Sequence, residues 1–321
     1  MELLQNPADR GYPAEYLLAR IRGRRARLIR DWRPFLHGAA LSGPLPPGKA
    51  GSLAEARPTQ GIEESLKREY QWVYGQMNQQ LREIFYLFFL YAELRTVFVC
   101  LRRITDKKAG ALDEFLARSL LSDSAKKVLL VSDDLKTAVA GIERLFLSLS
   151  PRFSGLTAVL EAGGLRSVEQ ALTERFLAEA VSSSPHPVMK TFFSRLIDAR
   201  NIMSLAKYLL LELKTLPSPV PGGTISRKKF AETARTENVL ALETLVRKAT
   251  GVPLERPEPA LIERALYQGM TRLLKRSGRD PFGAEPILDY LWRCSIEAMN
   301  LNVLYHGRDI ERDAVAAELV Q

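Results

Sequence analysis

Glu297-Ala-Met-Asn300-Leu301-Asn-Val-Leu304-Tyr-His306 is the last of three copies of one pattern. The others are Glu93-Leu-Arg-Thr96-Val97…Cys100-Leu-Arg102 and Asp198-Ala-Arg-Asn201-Ile202…Leu205-Ala-Lys207. Each has an acid, a small polar residue three later, an aliphatic next, an apolar residue at plus seven and a basic-type residue at plus nine. Upstream, Leu87, Phe192 and Leu291 align, as do Phe88, Phe193 and Trp292. The acids are 105 and 99 residues apart in a chain of 321, so a threefold repeat accounts for the whole length. A fixed internal period marks a repeat architecture.

The same spacing sets the fold class. Pro286 suits a first helical turn. Ile287, Leu291, Cys294, Ala298 and Leu301 form one apolar seam, and Trp292, Ile296, Met299 and Val303 a second. A helix with two seams lies between neighbours, and Asp289, Arg293 and Asn300 are left as a narrow polar side. Gly307 suits a left-handed cap and Asp309 the cap of a last helix over 310–320. Helices are predicted over 14–33, from 62 to 104 and from the Ser182–Pro187 loop to about 213. Shorter ones follow over 112–121, 126–149, 168–181, 234–250 and 260–276, with Thr224 or Ser226 free to cap after the break at 217–223. No stretch alternates β-branched and polar residues over a useful length, so the class is all-α.

Composition narrows the partners. The chain is 46% hydrophobic, enough for a core, and its 46 Lys+Arg against 37 Asp+Glu give a charge of +9. That balance favours an acidic protein, a lipid headgroup surface or nucleic acid, without choosing among them. Seven arginines between Arg20 and Arg33 face one acid, Asp31. They read either as a solvated helix face or as a contact, with Arg20, Arg24, Arg25 and Arg27 the candidates. Two cysteines make no disulfide framework, and a reducing compartment is expected. The first residues lack a signal peptide's basic-then-apolar order. The longest apolar run, nine residues from Ile84, is short of the roughly 20 that span a bilayer.

Chemistry is sparse. Gly43-Pro-Leu-Pro-Pro-Gly48-Lys49-Ala50, inside a Pro/Gly-rich linker over 38–61, imitates the spacing of a phosphate loop. Its prolines have no N–H to offer and Ala50 has no hydroxyl for magnesium, so no nucleotide site is expected. His37, His186 and His306 have no partner at metal-ligand spacing, and Cys100 and Cys294 read as small core hydrophobes. No hydrolase, zinc or dinucleotide pattern occurs. Glu93, Asp198 and Glu297 read as helix-surface acids paired with nearby bases. Neither catalysis nor a cofactor or small-molecule substrate is expected.

Glu297-Ala-Met-Asn-Leu-Asn-Val-Leu-Tyr-His-Gly-Arg308, followed by a helix ending Ala-Glu-Leu-Val320, resembles the carboxy-terminal signature of the C-type subunits of the A/V-type ATPases, whose eukaryotic counterparts are the d-type subunits. Asp280-Pro-Phe-Gly283 with Pro286-Ile-Leu resembles the lead-in to that helix, and Tyr16-Leu-Leu-Ala-Arg-Ile-Arg-Gly-Arg-Arg25 the family's N-terminal motif. Asp198-Ala-Arg-Asn-Ile and Pro221-Gly-Gly-Thr-Ile-Ser226 match its middle. Asn302 and His306 depart from it, standing where the family usually has basic residues. The resemblance implies a funnel of three related helical lobes with pseudo-threefold arrangement: 1–110, 111–215 and 216–321. It implies a non-catalytic central-stalk rotor subunit, peripheral on the cytoplasmic face of the membrane. Its partners would be the proteolipid ring and the D- and F-type shaft subunits, with torque passed between ATP hydrolysis or synthesis and proton or ion transport. The alternatives are a basic helical-repeat protein serving as a nucleic-acid binder or scaffold, which the apolar setting of the aromatics disfavours, and an enzyme with an unfamiliar helical pocket.

Overall fold

The computed structural model describes residues 3–36, 58–106, 112–211, 213, 215–216, 218–235 and 239–320, with the backbone alone for 58–60 and 114. The imitation phosphate loop and His37 lie outside the described residues. Within them the fold is all-α. In order, α1 is Ala14–Arg25, α2 Arg33–Leu36, α3 Pro58–Gln76, α4 Gln79–Thr105, α5 Leu112–Ala117, α6 Asp123–Val131 and α7 Leu135–Leu147. A 3-10 turn, Pro151–Phe153, precedes α8 Leu156–Ser183, α9 Pro187–Leu210, α10 Arg227–Arg235 and α11 Val239–Thr250. Then come α12 Pro259–Ser277, α13 Glu285–His306 and α14 Arg312–Glu318. The described residues contain no strand, only an isolated bridge between Leu4 and Leu121.

Polar side chains cut the long helical stretches where the apolar pattern alone does not. Asn78 accepts the Leu81 N–H at 3.0 Å and starts α4, so the single helix expected over 62–104 is two. Ser122 caps α6 through the Ala125 N–H, and Asp134 caps α7 through the Thr137 N–H at 2.9 Å, splitting the helix expected over 126–149. In α8 the chain bends at Gly164, whose φ of 70° and ψ of −172° only glycine adopts at little cost.

The chain forms two compact units, each assembled from separated segments: Met1–Tyr12 with Tyr70–Phe193, and Pro13–Glu69 with Ser194–Gln321. The first unit is built round α4. Phe88 and Phe89 on that helix meet Tyr70, Tyr74 and Phe192 edge-on or tilted, with ring centroids 4.9–5.9 Å apart, and Phe85 meets Phe88 edge-on at 6.4 Å. Tyr91 stacks on Phe176 at 6.0 Å. By length and composition α4 is apolar enough to cross a membrane, beyond what the nine-residue run suggests. Here Phe85, Phe89, Leu90, Cys100 and Leu101 on it are fully buried in protein. Arg102 on its last turn forms a two-pronged pair with Glu169, at 2.7 and 2.6 Å.

The second unit has two apolar clusters. One gathers Ile202, Leu205, Leu242, Val246 and Ile262. The other gathers Trp32, Ile62, Leu301, Leu304, Val315 and Leu319. α13 is buried on nearly all sides, and its expected polar side is buried too: Asp289 and Asn300 are both 0% exposed. Gly307 does not take the expected left-handed cap; its φ is −86°. A Cβ there would run into Val315, so close packing of α14 on α13 explains the glycine. Nor does Asp309 cap α14, which starts after Glu311 without a side-chain cap.

Glu143 on α7 takes the Thr157 N–H and hydroxyl, each at 3.0 Å, and the Gly155 N–H, tying the start of α8 to α7. Burial pushes this carboxyl up. The donors from Thr157, Gly155 and Leu156 outweigh burial and hold it below its ordinary value of 4.5. A depressed folded value contributes stability that is present above 4.5 and lost as pH falls through the folded value. Glu143→Gln is therefore less stable than the parent at pH 7. The gap between their urea midpoints narrows as pH drops below 4.5.

Candidate functional site

The three acids of the repeat are not on the surface. Glu93, Asp198 and Glu297 are 6%, 1% and 7% exposed, and Thr96, Asn201 and Asn300 are 1%, 4% and 0%. The expected pairing with a nearby base persists for Asp198, 3.8 Å from Arg195, but the main role of the acids is capture of irregular backbone. In the first unit Glu93 accepts the Ser119 hydroxyl at 2.7 Å and the Leu120 N–H at 2.8 Å. In the second, Asp198 accepts the Thr224 hydroxyl at 2.5 Å and the Ile225 N–H at 3.0 Å. The donors stand 26 and 27 residues after the acid in both copies. Glu297 accepts the Ile29 N–H at 2.7 Å, 268 residues away. A buried carboxylate is costly unless donors surround it, and a buried N–H is costly unless accepted. Each clamp answers both needs.

The asparagines do the same with a neutral group. Asn201 donates to the Val220 carbonyl at 3.0 Å and accepts its N–H at 2.8 Å. Asn300 donates to the Val320 carbonyl at 2.8 Å and accepts its N–H at 3.0 Å. An amide has one acceptor and one donor end, so it can satisfy both groups of one residue. Thr96, shorter by that amide, cannot copy this. Gly223 belongs to the second clamp, because a Cβ there would meet Asp198 Oδ1 and Ile197. Of the two capping candidates, Ser226 receives the Lys229 N–H; Thr224 gives its hydroxyl to Asp198.

The arginines of α1 and of the residues just after it divide by what they touch. Arg24 pairs with Glu69 at 2.6 Å, and Glu69 also takes the Tyr290 hydroxyl at 2.7 Å. Burial pushes that hydroxyl well above its usual range, so it stays a donor. Arg25 Nη2 lies 2.6 Å from buried Asp289 Oδ2, held by charge at an angle outside hydrogen-bond geometry, while Arg293 donates to Asp289 Oδ1 at 2.9 Å. Burial lowers the Arg25 guanidinium and Asp289 pulls the other way. Arg24 and Arg25 thus fasten α1 to α3 and α13 inside the second unit, a role their sequence does not announce. Arg20 and Arg27 are exposed, with Arg20 5.6 Å from the Tyr16 ring centre. Arg22, outside the four candidates, donates to the Pro281 carbonyl at 2.9 Å.

Among the described residues no three His, Cys, Asp or Glu side chains come together as metal ligands would. Cys100 and Cys294 are buried and free of disulfides. The geometry is that of fastened helices with a basic outer face.

Residues 50–315 match the family described as ATP synthase (C/AC39) subunit. The chain belongs to that family. The match spans most of the sequence, including all three repeat copies. The clamp acids and amides all lie inside the matched region, and α1 lies ahead of it. A search among curated proteins returns no match.

The clamps carry two predictions. Asp198→Ala strands the Ile225 N–H and Thr224 hydroxyl and costs about 2–4 kcal/mol of stability, measured by chemical denaturation. Asn300→Leu leaves both backbone groups of Val320 unpaired and costs roughly 2–3 kcal/mol, with faster hydrogen exchange at the Val320 amide as the local sign.

Proposed function

We propose that the chain is the central-stalk rotor subunit of a V/A-type ATPase. It joins the D- and F-type shaft subunits to the proteolipid ring on the cytoplasmic face of the membrane and passes torque between them. It is itself non-catalytic. Membership of the C/AC39 family is the observation that carries this reading. The clamps support it, since a part that transmits torque must hold its irregular segments as firmly as its helices. Backbone captured by buried acids and amides opens only at the cost of stranding them.

The three-lobe division over 1–110, 111–215 and 216–321 belongs to the same proposal. Each lobe holds one clamp-bearing helix: α4, α9 or α13. The 26- and 27-residue offsets recur in the first two copies, and the Asn–Val clamp recurs in the last two. These lobes follow the repeat, whereas the two compact units follow packing density.

Of the four arginine candidates, the exposed pair Arg20 and Arg27 are the proposed contact residues. Purification of the tagged chain from its own cells should recover ring and shaft subunits together. Arg20→Glu with Arg27→Glu should reduce recovery about tenfold with the fold unchanged by circular dichroism. Recovery of neither partner, or retention on immobilised nucleic acid in place of them, overturns the reading.

A further inference from the structure

On the second unit a second basic face is built from the sides of α1 and α13. Arg22 and Arg25 lie about one turn apart on α1. Arg22 holds the Pro281 carbonyl, which fixes the loop whose next residue, Phe282, is 76% exposed. Arg25 shares Asp289 with Arg293 of α13. Arg30 is close enough to Arg25 to lower its guanidinium further. Two guanidiniums, Arg25 and Arg293, therefore adjoin one buried carboxylate, with Arg22 a turn from Arg25 on α1 and Arg30 following in the chain. Of the acids around them, Asp31 pairs with Arg33, Glu69 takes Arg24 and Glu297 takes the Ile29 N–H. The others are Asp280 on the Phe282 loop, which caps the Phe282 N–H at 3.0 Å, and Glu285 at the start of α13. Arg25 and Arg293 keep 30% and 25% of their side-chain surface open to solvent.

We propose that this face docks an acidic protein segment, with a carboxylate on Arg22, Arg25 and Arg30 and an apolar side chain on Phe282. The chemistry favours a protein over the other anions. Residues 14–33 contain seven arginines and no lysine. A guanidinium fork matches a carboxylate two bonds at a time, and its hold on Asp289 or Pro281 fixes it in advance. An exposed aromatic next to the Pro281 carbonyl that Arg22 holds suits an interface core, where aromatics and arginine are enriched. A lipid surface would call for several apolar residues along one helix face, and single-stranded nucleic acid for a row of aromatics on which successive bases stack. The inference rests on the rotor reading only for the partner's identity, an acidic segment of a shaft subunit.

The test uses the full chain and three probes: a soluble helical peptide of glutamate, leucine and alanine, phosphatidylglycerol vesicles, and single-stranded oligonucleotide. The peptide should bind best, and Arg22→Glu with Arg30→Glu should weaken it at least tenfold. Phe282→Ala should weaken it several-fold, and the charge-matched control Arg312→Glu on α14 should change it less than twofold. Binding should fall as salt rises. Stronger binding to vesicles or oligonucleotide, or equal peptide binding by the double variant and the control, overturns the proposal. Separately, the double variant should lose shaft subunits on purification while keeping its fold. If the parent recovers shaft and ring and the double variant recovers them equally, the docking face is wrong and the rotor reading stands. If the parent recovers neither, the rotor reading falls.

Discussion

Everything in this fold depends on buried side chains that satisfy backbone outside the helices. A helical protein meets most backbone hydrogen bonds internally, but every connection leaves N–H and C=O groups exposed at helix ends. Where a connection runs through the interior, water cannot complete those groups. Glu93, Asp198 and Glu297 reach from the middle of long helices into such connections. Asn201 and Asn300, three residues on, hold a neighbouring strip through both ends of one amide. An i, i+3 spacing puts acid and amide on the same helix face, so one face serves two connections. The repeat is a spacing of hydrogen-bonding tools, and the aliphatic that follows each amide anchors that face in the core.

The class and most helices were legible because apolar spacing survives any detail of packing. Seven aligned positions of the repeat were also legible; six are buried in all three copies, and the basic-type residue at plus nine is exposed in each. The burial of the acids was not. A carboxylate beside a basic residue looks the same in sequence whether it faces water or a loop 26 residues ahead. The 105- and 99-residue separations held a clue, because surface pairs have no reason to recur at that period. The helix boundaries at Asn78, Ser122 and Asp134 rest on single caps inside otherwise continuous apolar patterns, and periodicity averages over one residue.

The basic helix shows the same limit in another form. Seven arginines in a row of mixed spacing read as one face. In the structure they are sorted by what stands opposite: Glu69 takes Arg24, Asp289 takes Arg25, and Asp31 takes Arg33. Partners 45 and 264 residues away cannot be guessed from α1 alone. Arginine suits these internal ties because it stays charged when half-buried and its planar head fits two acceptors. The residues left facing outward are fewer than composition suggests, and their placement carries more information than the net charge of +9.

The bond from Ile29 to Glu297 has a consequence for how the chain is made. Residue 29 is made 268 residues before the acceptor of its N–H. Until α13 emerges, Arg24 has Glu69 but Arg25 lacks Asp289, and the residues after α1 lack Glu297 and the apolar wall formed by Leu301 and Leu304. Meanwhile the arginine-rich stretch over 20–33 keeps most of its charge open to other anions.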